Sequence, residues 1–291
     1  MNGNKKKLTS MMITAIVSAA VLAGCAGDGG NAGGVANTDS ASLPQQSEAT
    51  SETADLLSQI QERGKITIAM EGTWATWTYH DEENNLVGYD VEVGQAIAEK
   101  LGVEANFVEG EWDGLLAGLD AGRYDIMING VDVTPERMEA YDFSDPYAYN
   151  RTAVIVRGDN DTIQSLEDLE GMHTANTISS TYAELAEQYG AEVTGVDDLN
   201  QTFELLLSGR IDATLNAEVT YYDYMKAQPD ADIKIAALTE EASQVAIPMR
   251  KGEETASLRE AINQTLAELS EDGTLSALSE KYFGTDISQN N

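Results

Sequence analysis

The order of apolar and polar segments predicts an α/β protein made of two successive βα series. Three observations carry this. Short β-branched runs alternate with amphipathic helical stretches from residue 56 to 282, and helix-capping residues recur between them. A chain of 291 residues, 42% hydrophobic and 23% charged, is long enough for two domains. Such alternation builds mostly parallel sheets with crossover helices on their faces. On these sheets ligands sit beyond the carboxyl ends of the strands.

The N-terminus stands apart from that body. Lys5, Lys6 and Lys7 precede an apolar run over 8–22, and the run closes with Leu22-Ala23-Gly24-Cys25. It is shorter than the ~20 residues that cross a bilayer, and a basic head, short apolar core and small-residue end mark a secretory signal. The tetrad resembles the bacterial lipobox, which implies that residues 1–24 are a lipoprotein signal peptide and that Cys25 carries the lipid. Cys25 is the single cysteine, which excludes an internal disulfide. Residues 25–54 are mostly small or polar with no aromatic side chain. They offer too little apolar surface to offset ordering entropy and read as a flexible tether. The net charge of −33 disfavours nucleic acid and anionic lipid headgroups as partners.

From residue 55 each element has a local signature. Residues 56–63 read as a leading helix, and 65–70 as a strand reaching Glu71 and GTWATWTYHD. Asp90 is placed to cap a helix in which Val93, Ile97 and Leu101 share a face, ended by Gly102. A strand at 105–108, a helix at about 113–121 and a strand at 125–128 complete the first series. The β-branched run 152–156 leads out of it. In the second series Ser165 caps a short helix ending at Gly171, and 173–177 is extended. Ser179, Ser180 and Thr181 then open a helix with Tyr182, Leu185, Ala186 and Tyr189 on one stripe. A helix at 199–207 closed by Gly209, a strand at 212–215, a helix at 219–227 and a strand at 233–237 follow. Residues 243–249 return, and amphipathic helices at about 255–270 and 274–282 end the chain.

Residues 129–147 (NGVDVTPERMEAYDFSDPY) give this architecture its chemistry. They start where the strand 125–128 ends, with Thr134 as N-cap, Pro135 at the first helical position, Glu136 just inside and Arg137 in the first turn. A helix start presents unpaired N–H groups to an anion, and a guanidinium holds a carboxylate by two parallel hydrogen bonds. The pattern fits carboxylate recognition and, equally, a salt bridge from Arg137 to Glu136 or Asp142. Residues 71–77, 109–112 and 129–137 all follow predicted strands and should meet on one rim. Trp74 and Trp112 lie in two of these segments. A pocket explains them better than a core, because a core Trp must satisfy its indole N–H. Trp77 reads as packing.

Five segments fall in a known order: LVGYDVEVGQAIAEKLG (86–102), EWDGLLAGLDAGRYDIM (111–127), TPERMEAYDFSDPY (134–147), LLLSGRIDA (205–213) and DGTLSALSEKYFG (272–284). Together they resemble the extracellular solute-binding proteins of family 3, which deliver polar amino acids to ABC importers. The resemblance implies a two-lobed periplasmic-binding-protein-like fold, each lobe a mostly parallel sheet flanked by helices, joined by a two-strand hinge. Residues 55–151 form the first part of lobe 1, 152–243 lobe 2, and 244–291 the hinge return and the terminal helices of lobe 1. The resemblance also implies a site. Arg137 takes the α-carboxylate, helped by N–H groups near Gly130, and Trp74 and Trp112 enclose the side chain. Thr181 and Ser180 add a hydroxyl or N–H from the second lobe, and Glu71 lies near the ligand's side chain. Two positions depart from the family. Asp132 stands where Thr or Ser is usual, and Ala217 where an Asp for the α-ammonium is usual. Asp132, with Glu218 or Asn216, is the expected replacement, since a desolvated ammonium without a partner costs several kcal/mol. The other role open to Asp132 is to orient Arg137.

His80 and His173 fit no zinc spacing, and the sequence has no G-x-S-x-G or phosphate loop, so no metal or cofactor is expected. The expected function is that of an extracytoplasmic receptor, monomeric and lipid-anchored to the cell membrane through Cys25. It binds a polar L-amino acid (cystine, glutamine, histidine or a basic amino acid) and passes it to an ABC transporter permease. Two alternatives stay open. One is a cyclohexadienyl-dehydratase-like enzyme on the same fold, with Glu71, Asp132 or Glu218 as its acid. The other is a solute sensor docking on a membrane receptor.

Overall fold

The computed structural model describes residues 55–290. The signal segment, Cys25 and the tether over 25–54 lie outside the described residues. Among those described, no helix is long and apolar enough to cross a membrane.

The first lobe is built on a three-stranded parallel sheet. Helix α1 (Leu56–Arg63) turns through Gly64, whose φ of 70° closes the helix in the left-handed region, straight into β1 (Lys65–Met70). A hairpin of β2 (Tyr79–His80) and β3 (Leu86–Val87) leads to α2 (Tyr89–Leu101). Then come β4 (Glu104–Glu109), α3 (Trp112–Asp120) and β5 (Ile126–Met127), giving the strand order β4-β1-β5. Val93 and Ile97 of α2 are fully buried, with Leu101 packed at the edge of the same cluster.

Asp90 does not cap α2. Gly88 takes the cap position with φ 138°, so close to Trp77 that a Cβ would meet the Trp77 carbonyl oxygen at 2.1 Å. The helix therefore starts two residues early, and Asp90 falls inside its first turn. Fully buried there, Asp90 accepts the Gly130 N–H at 2.6 Å and the Tyr147 hydroxyl at 2.8 Å.

Beyond β5, α4 (Pro135–Ala140) starts as the sequence predicts. Thr134 Oγ1 accepts the Arg137 N–H at 3.1 Å, and Pro135 opens the helix. Strands β6 (Tyr141–Phe143) and β7 (Ala148–Asn150) lead to β8 (Thr152–Arg157) and the second sheet. Ser165 is capped rather than capping: the Asp168 carboxylate accepts from the Ser165 N–H and hydroxyl around a single 3-10 turn at Glu167–Leu169. Then follow β9 (His173–Thr177), α5 (Thr181–Gln188), β10 (Glu192–Val196), α6 (Leu199–Leu207), β11 (Ala213–Ala217), α7 (Glu218–Ala227) and β12 (Ile233–Leu238). The strand order is β10-β9-β11-β8-β12. β8 runs antiparallel to β11 and β12, because it brings the chain in from the hinge side.

The chain returns by β13 (Ser243–Val245), antiparallel to β7, and β14 (Pro248–Arg250), antiparallel to β6. β7 and β13 are the two linking strands. The closing helices α8 (Ala256–Glu271) and α9 (Thr274–Phe283) pack on the first lobe, where Leu258, Ile262, Leu266 and Leu269 share a core with Ile66, Ile68 and Ile97.

Candidate functional site

Parallel strands end on the same side, so β1, β4 and β5 bring Trp74, Trp112 and Arg137 to one rim. The facing rim carries Ser179 to Thr181 after β9, Asp198 after β10 and Asn216 in β11. The two rims are in contact. The Trp112 indole and Arg137 Nη2 donate to the Ser179 carbonyl at 3.2 and 3.3 Å. Thr181 Oγ1 donates to Asp132 Oδ2 at 2.5 Å, and the Trp74 indole to Thr220 Oγ1 at 3.2 Å. This is a closed form of the two lobes. Ser179 presents its twice-used carbonyl from a left-handed backbone, φ 62°, uncommon for a residue with a Cβ.

Arg137 is buried, its guanidinium carbon 5.1 Å from the Trp112 ring centroid and Nη1 donating to the Asp132 carbonyl at 3.1 Å. Burial raises the Asp132 pKa, opposed by the Ser243 and Thr181 hydroxyls and then by Arg137. Ser243 Oγ donates to Asp132 Oδ1 at 2.6 Å. One carboxylate thus ties the first lobe to the second and to β13.

Beside this contact a cavity opens between the lobes, with about 490 Å³ of space between atoms, part of it open to solvent. Of the residues expected at a site, Glu71, Trp74, Trp112, Ser180 and Asn216 line it. Arg137, Asp132 and Thr181 form the adjoining contact instead.

Two expected residues are engaged elsewhere. The Gly130 N–H is committed to Asp90, so it has no N–H to offer a carboxylate. Glu218 opens α7 and pairs with Arg151 at 2.8 Å, the cation at the end of the neighbouring hinge strand. Asn216 spends Oδ1 on the Ala217 N–H at 2.8 Å. In the closed form, then, the acceptors expected to replace the missing ammonium ligand are occupied within the chain. Trp77 is core, 4.8 Å from the Phe283 ring and 5.9 Å from Tyr89. Its indole N–H has no partner among the described residues, contrary to the rule applied to core tryptophans above.

Sequence reasoning missed Asp198 and Asn176, which also line the cavity. Both obey the strand-end rule already used for the first lobe. Asn176 is the penultimate residue of β9, and Asp198 lies two residues past β10, where its carboxylate caps α6 through the Asn200 and Gln201 N–H groups. Burial raises the pKa of Glu71, Asn129 opposes the rise by hydrogen bonding, and the charge of Asp198 adds to it.

Residues 66–285 match the model of the bacterial extracellular solute-binding proteins, family 3. The L-cystine-binding protein TcyA of Bacillus subtilis (strain 168) is 36% identical over 286 residues, covering 98% of this chain and 100% of that protein. An ancestral arginine-binding protein bound to arginine superposes with a TM-score of 0.71 at 36% identity, over 76% of this chain and 99% of that one. The L-cystine solute receptor of Neisseria gonorrhoeae, in its unliganded open conformation, is 40% identical over 81% of this chain and all of that one, with a TM-score of 0.57. Fold, motifs and relatives agree: the chain belongs to the bacterial extracellular solute-binding proteins of family 3.

Proposed function

We propose that this protein is the receptor of an amino-acid ABC importer. Tethered outside the cell membrane by a lipid on Cys25, it closes its lobes around an amino-acid zwitterion and hands it to a permease without chemical change. The observation that carries the reading is the buried Arg137 guanidinium, stacked on Trp112 and reaching across the cleft to a neutral carbonyl at 3.3 Å. A ligand carboxylate is a stronger acceptor than that carbonyl and can take two parallel bonds. It would displace Ser179 from Arg137, while the start of α5 at Ser180 and Thr181 receives its other side. Trp74 and Trp112 would then wall the ligand's side chain. The relatives named for L-cystine and arginine support an amino-acid ligand.

Calorimetry of the mature chain with the twenty amino acids and cystine tests the reading. Arg137→Ala should weaken binding by roughly 2–5 kcal/mol, tens to thousands of fold, with the melting transition retained. Unchanged affinity would remove Arg137 from the site. Ligand recovered intact from the complex separates the receptor from a dehydratase. Loss of palmitate label in Cys25→Ala checks the anchor.

A further inference from the structure

The surroundings of Asp132 suit a neutral acid better than an ion. The residue is bridged to Val245 of the linking strand β13 and is 6% exposed. No cation pairs with its carboxyl group among the described residues. Arg137, the guanidinium beside it, bonds the Asp132 and Ser179 carbonyls instead. Two hydroxyls reach the carboxyl oxygens, Thr181 Oγ1 at Oδ2 and Ser243 Oγ at Oδ1.

The protons can be counted. Ser243 Oγ also stands 2.9 Å from the Asn150 carbonyl of β7, so one hydroxyl proton faces two acceptors. An ionised carboxylate takes that proton and leaves the Asn150 carbonyl without it. A proton on Oδ1 removes the conflict. The carboxyl group then donates to Ser243 Oγ, Ser243 donates to the Asn150 carbonyl, and Oδ2 still accepts from Thr181. Each of these oxygens is matched, and no unpaired charge is buried.

Resting on the receptor reading above, we propose that Asp132 is a positioning residue that closes the lobes as a neutral acid, its Oδ1 taking up a proton from solvent as they close on an amino acid. When the lobes part, Thr181 leaves with the second lobe, water reaches Oδ2 and the carboxyl group ionises. In the closed form burial raises its pKa above 3.8, against the Ser243 and Thr181 hydroxyls and the charge of Arg137. Tyr182 and Glu184 of α5 also face it, and a negative charge on either disfavours ionised Asp132 further. On the hinge side Tyr149 of β7 lines the space behind the linking strands, while Arg151 and Glu218 pair with each other. A ligand carboxylate on Arg137 would offset the one cation that opposes the proton. Asp132 in this role is not the ligand of the α-ammonium.

The test counts the protons exchanged when the mature chain binds L-cystine or L-arginine, or the tightest binder of the amino-acid screen if neither binds. Calorimetry in buffers of different ionisation enthalpy gives that number at about pH 5, 6 and 7. Burial raises Glu71 and Glu184 as well, so the count is read as wild type minus Asp132→Asn. The difference should be an uptake. Wild-type affinity should fall as pH rises toward the closed-form pKa, roughly tenfold for each pH unit between the open and closed values. Asp132→Asn fixes the neutral state, its amide donating to Ser243 as the acid does. The ratio of its affinity to that of wild type should climb with pH and pass above one. Asp132→Thr, the residue usual at this position in the family, is a second reference without titration should the amide disturb the fold. No difference in protons, a release, or a ratio that falls with pH overturns the neutral acid and leaves the receptor standing. A variant that melts like wild type but binds nothing at any pH makes Asp132 an ionic ligand contact and overturns it too. Binding of no amino acid at all defeats the receptor and, with it, the neutral acid.

Discussion

A Cβ on Gly130 would lie 2.8 Å from the Trp74 ring and 3.4 Å from that of Trp77, on a backbone whose φ of +55° disfavours any L side chain. The glycine therefore sets how closely the turn after β5 approaches the wall of the cavity. Gly130→Ala should cost more than about 1 kcal/mol of stability and tilt Trp74, lowering both the melting temperature and ligand affinity. Wild-type values of both would show that the turn tolerates a side chain. The residue fixing that turn, Asp90, has its own signature in pH. Burial raises its carboxyl from 3.8 to about 7, against hydrogen bonds from Tyr147 and Gly130. The folded chain then holds this proton more tightly than the unfolded chain does. The contribution of Asp90 to stability is complete below about pH 3.8 and declines as pH rises to about 7. Asp90→Asn removes the titration, so its melting temperature relative to wild type should climb between about pH 4 and pH 7. Parallel melting curves would refute a raised Asp90. Arg137, Trp74 and Trp112 were legible because each stands past a strand with a side chain whose chemistry announces itself. The burial of Asp90 was not, because nothing local separates a capping acid from a buried one.

At the scale of the element, α4 holds Arg137 although six residues are too few to be stable alone. It is fixed at both flanks. The Val133 N–H bonds the Gln244 carbonyl at 2.8 Å, the Ala246 N–H bonds the Val131 carbonyl at 3.0 Å, and β6 pairs with β14. Its cap is Thr134, and the N–H that Thr134 accepts belongs to Arg137 itself. Thr134→Ala should cost about 1 kcal/mol of stability and also loosen the guanidinium, weakening amino-acid binding. Thr134→Ser should restore both, and a serine variant no better than alanine would exclude the cap as the cause. Helices and strands with strong local signals were readable to the residue, as with α1, α6, β1 and β9. The short pairs were not, since β2 with β3, β6 with β14 and β7 with β13 form through partners that no local pattern names. β10 was missed for a related reason. Its Glu-Val-Thr-Gly-Val is largely exposed and pairs on one side only, with β9. Missing that strand hid the strand end at which Asp198 stands, and with it the second acid of the cavity.

The molecule as a whole is held closed by bonds that bridge its halves and by an apolar cluster that runs through both, from Ile66 and Trp77 to Val154 and Leu215. Each half also has packing of its own. Leu115, Leu119 and Met127 cluster with Trp112 in the first lobe, and Ile155, Phe203 and Ile233 in the second. Lobes with cores of their own can move as units about β7 and β13, each three residues long. The Thr181 hydroxyl is the strongest candidate for a latch, because its acceptor is a buried acid that also takes a bond from the hinge residue Ser243. Thr181→Val keeps the shape and deletes the donor, leaving Asp132 Oδ2 without that bond in the closed form. The unliganded variant should then favour the open form and show a larger radius of gyration by X-ray scattering than unliganded wild type. Saturating amino acid should bring both to the same compact value. Affinity falls by the factor through which the closed population has shrunk, and a net loss of about 1 kcal/mol for one hydrogen bond makes that roughly five-fold. A weakening seen without any change in the unliganded scattering would assign the whole loss to the contact Thr181 makes with the ligand and leave it no part as a latch. Scattering identical with and without amino acid in both proteins would mean that the halves do not part, and a cavity enclosed between them would have no route by which cargo enters.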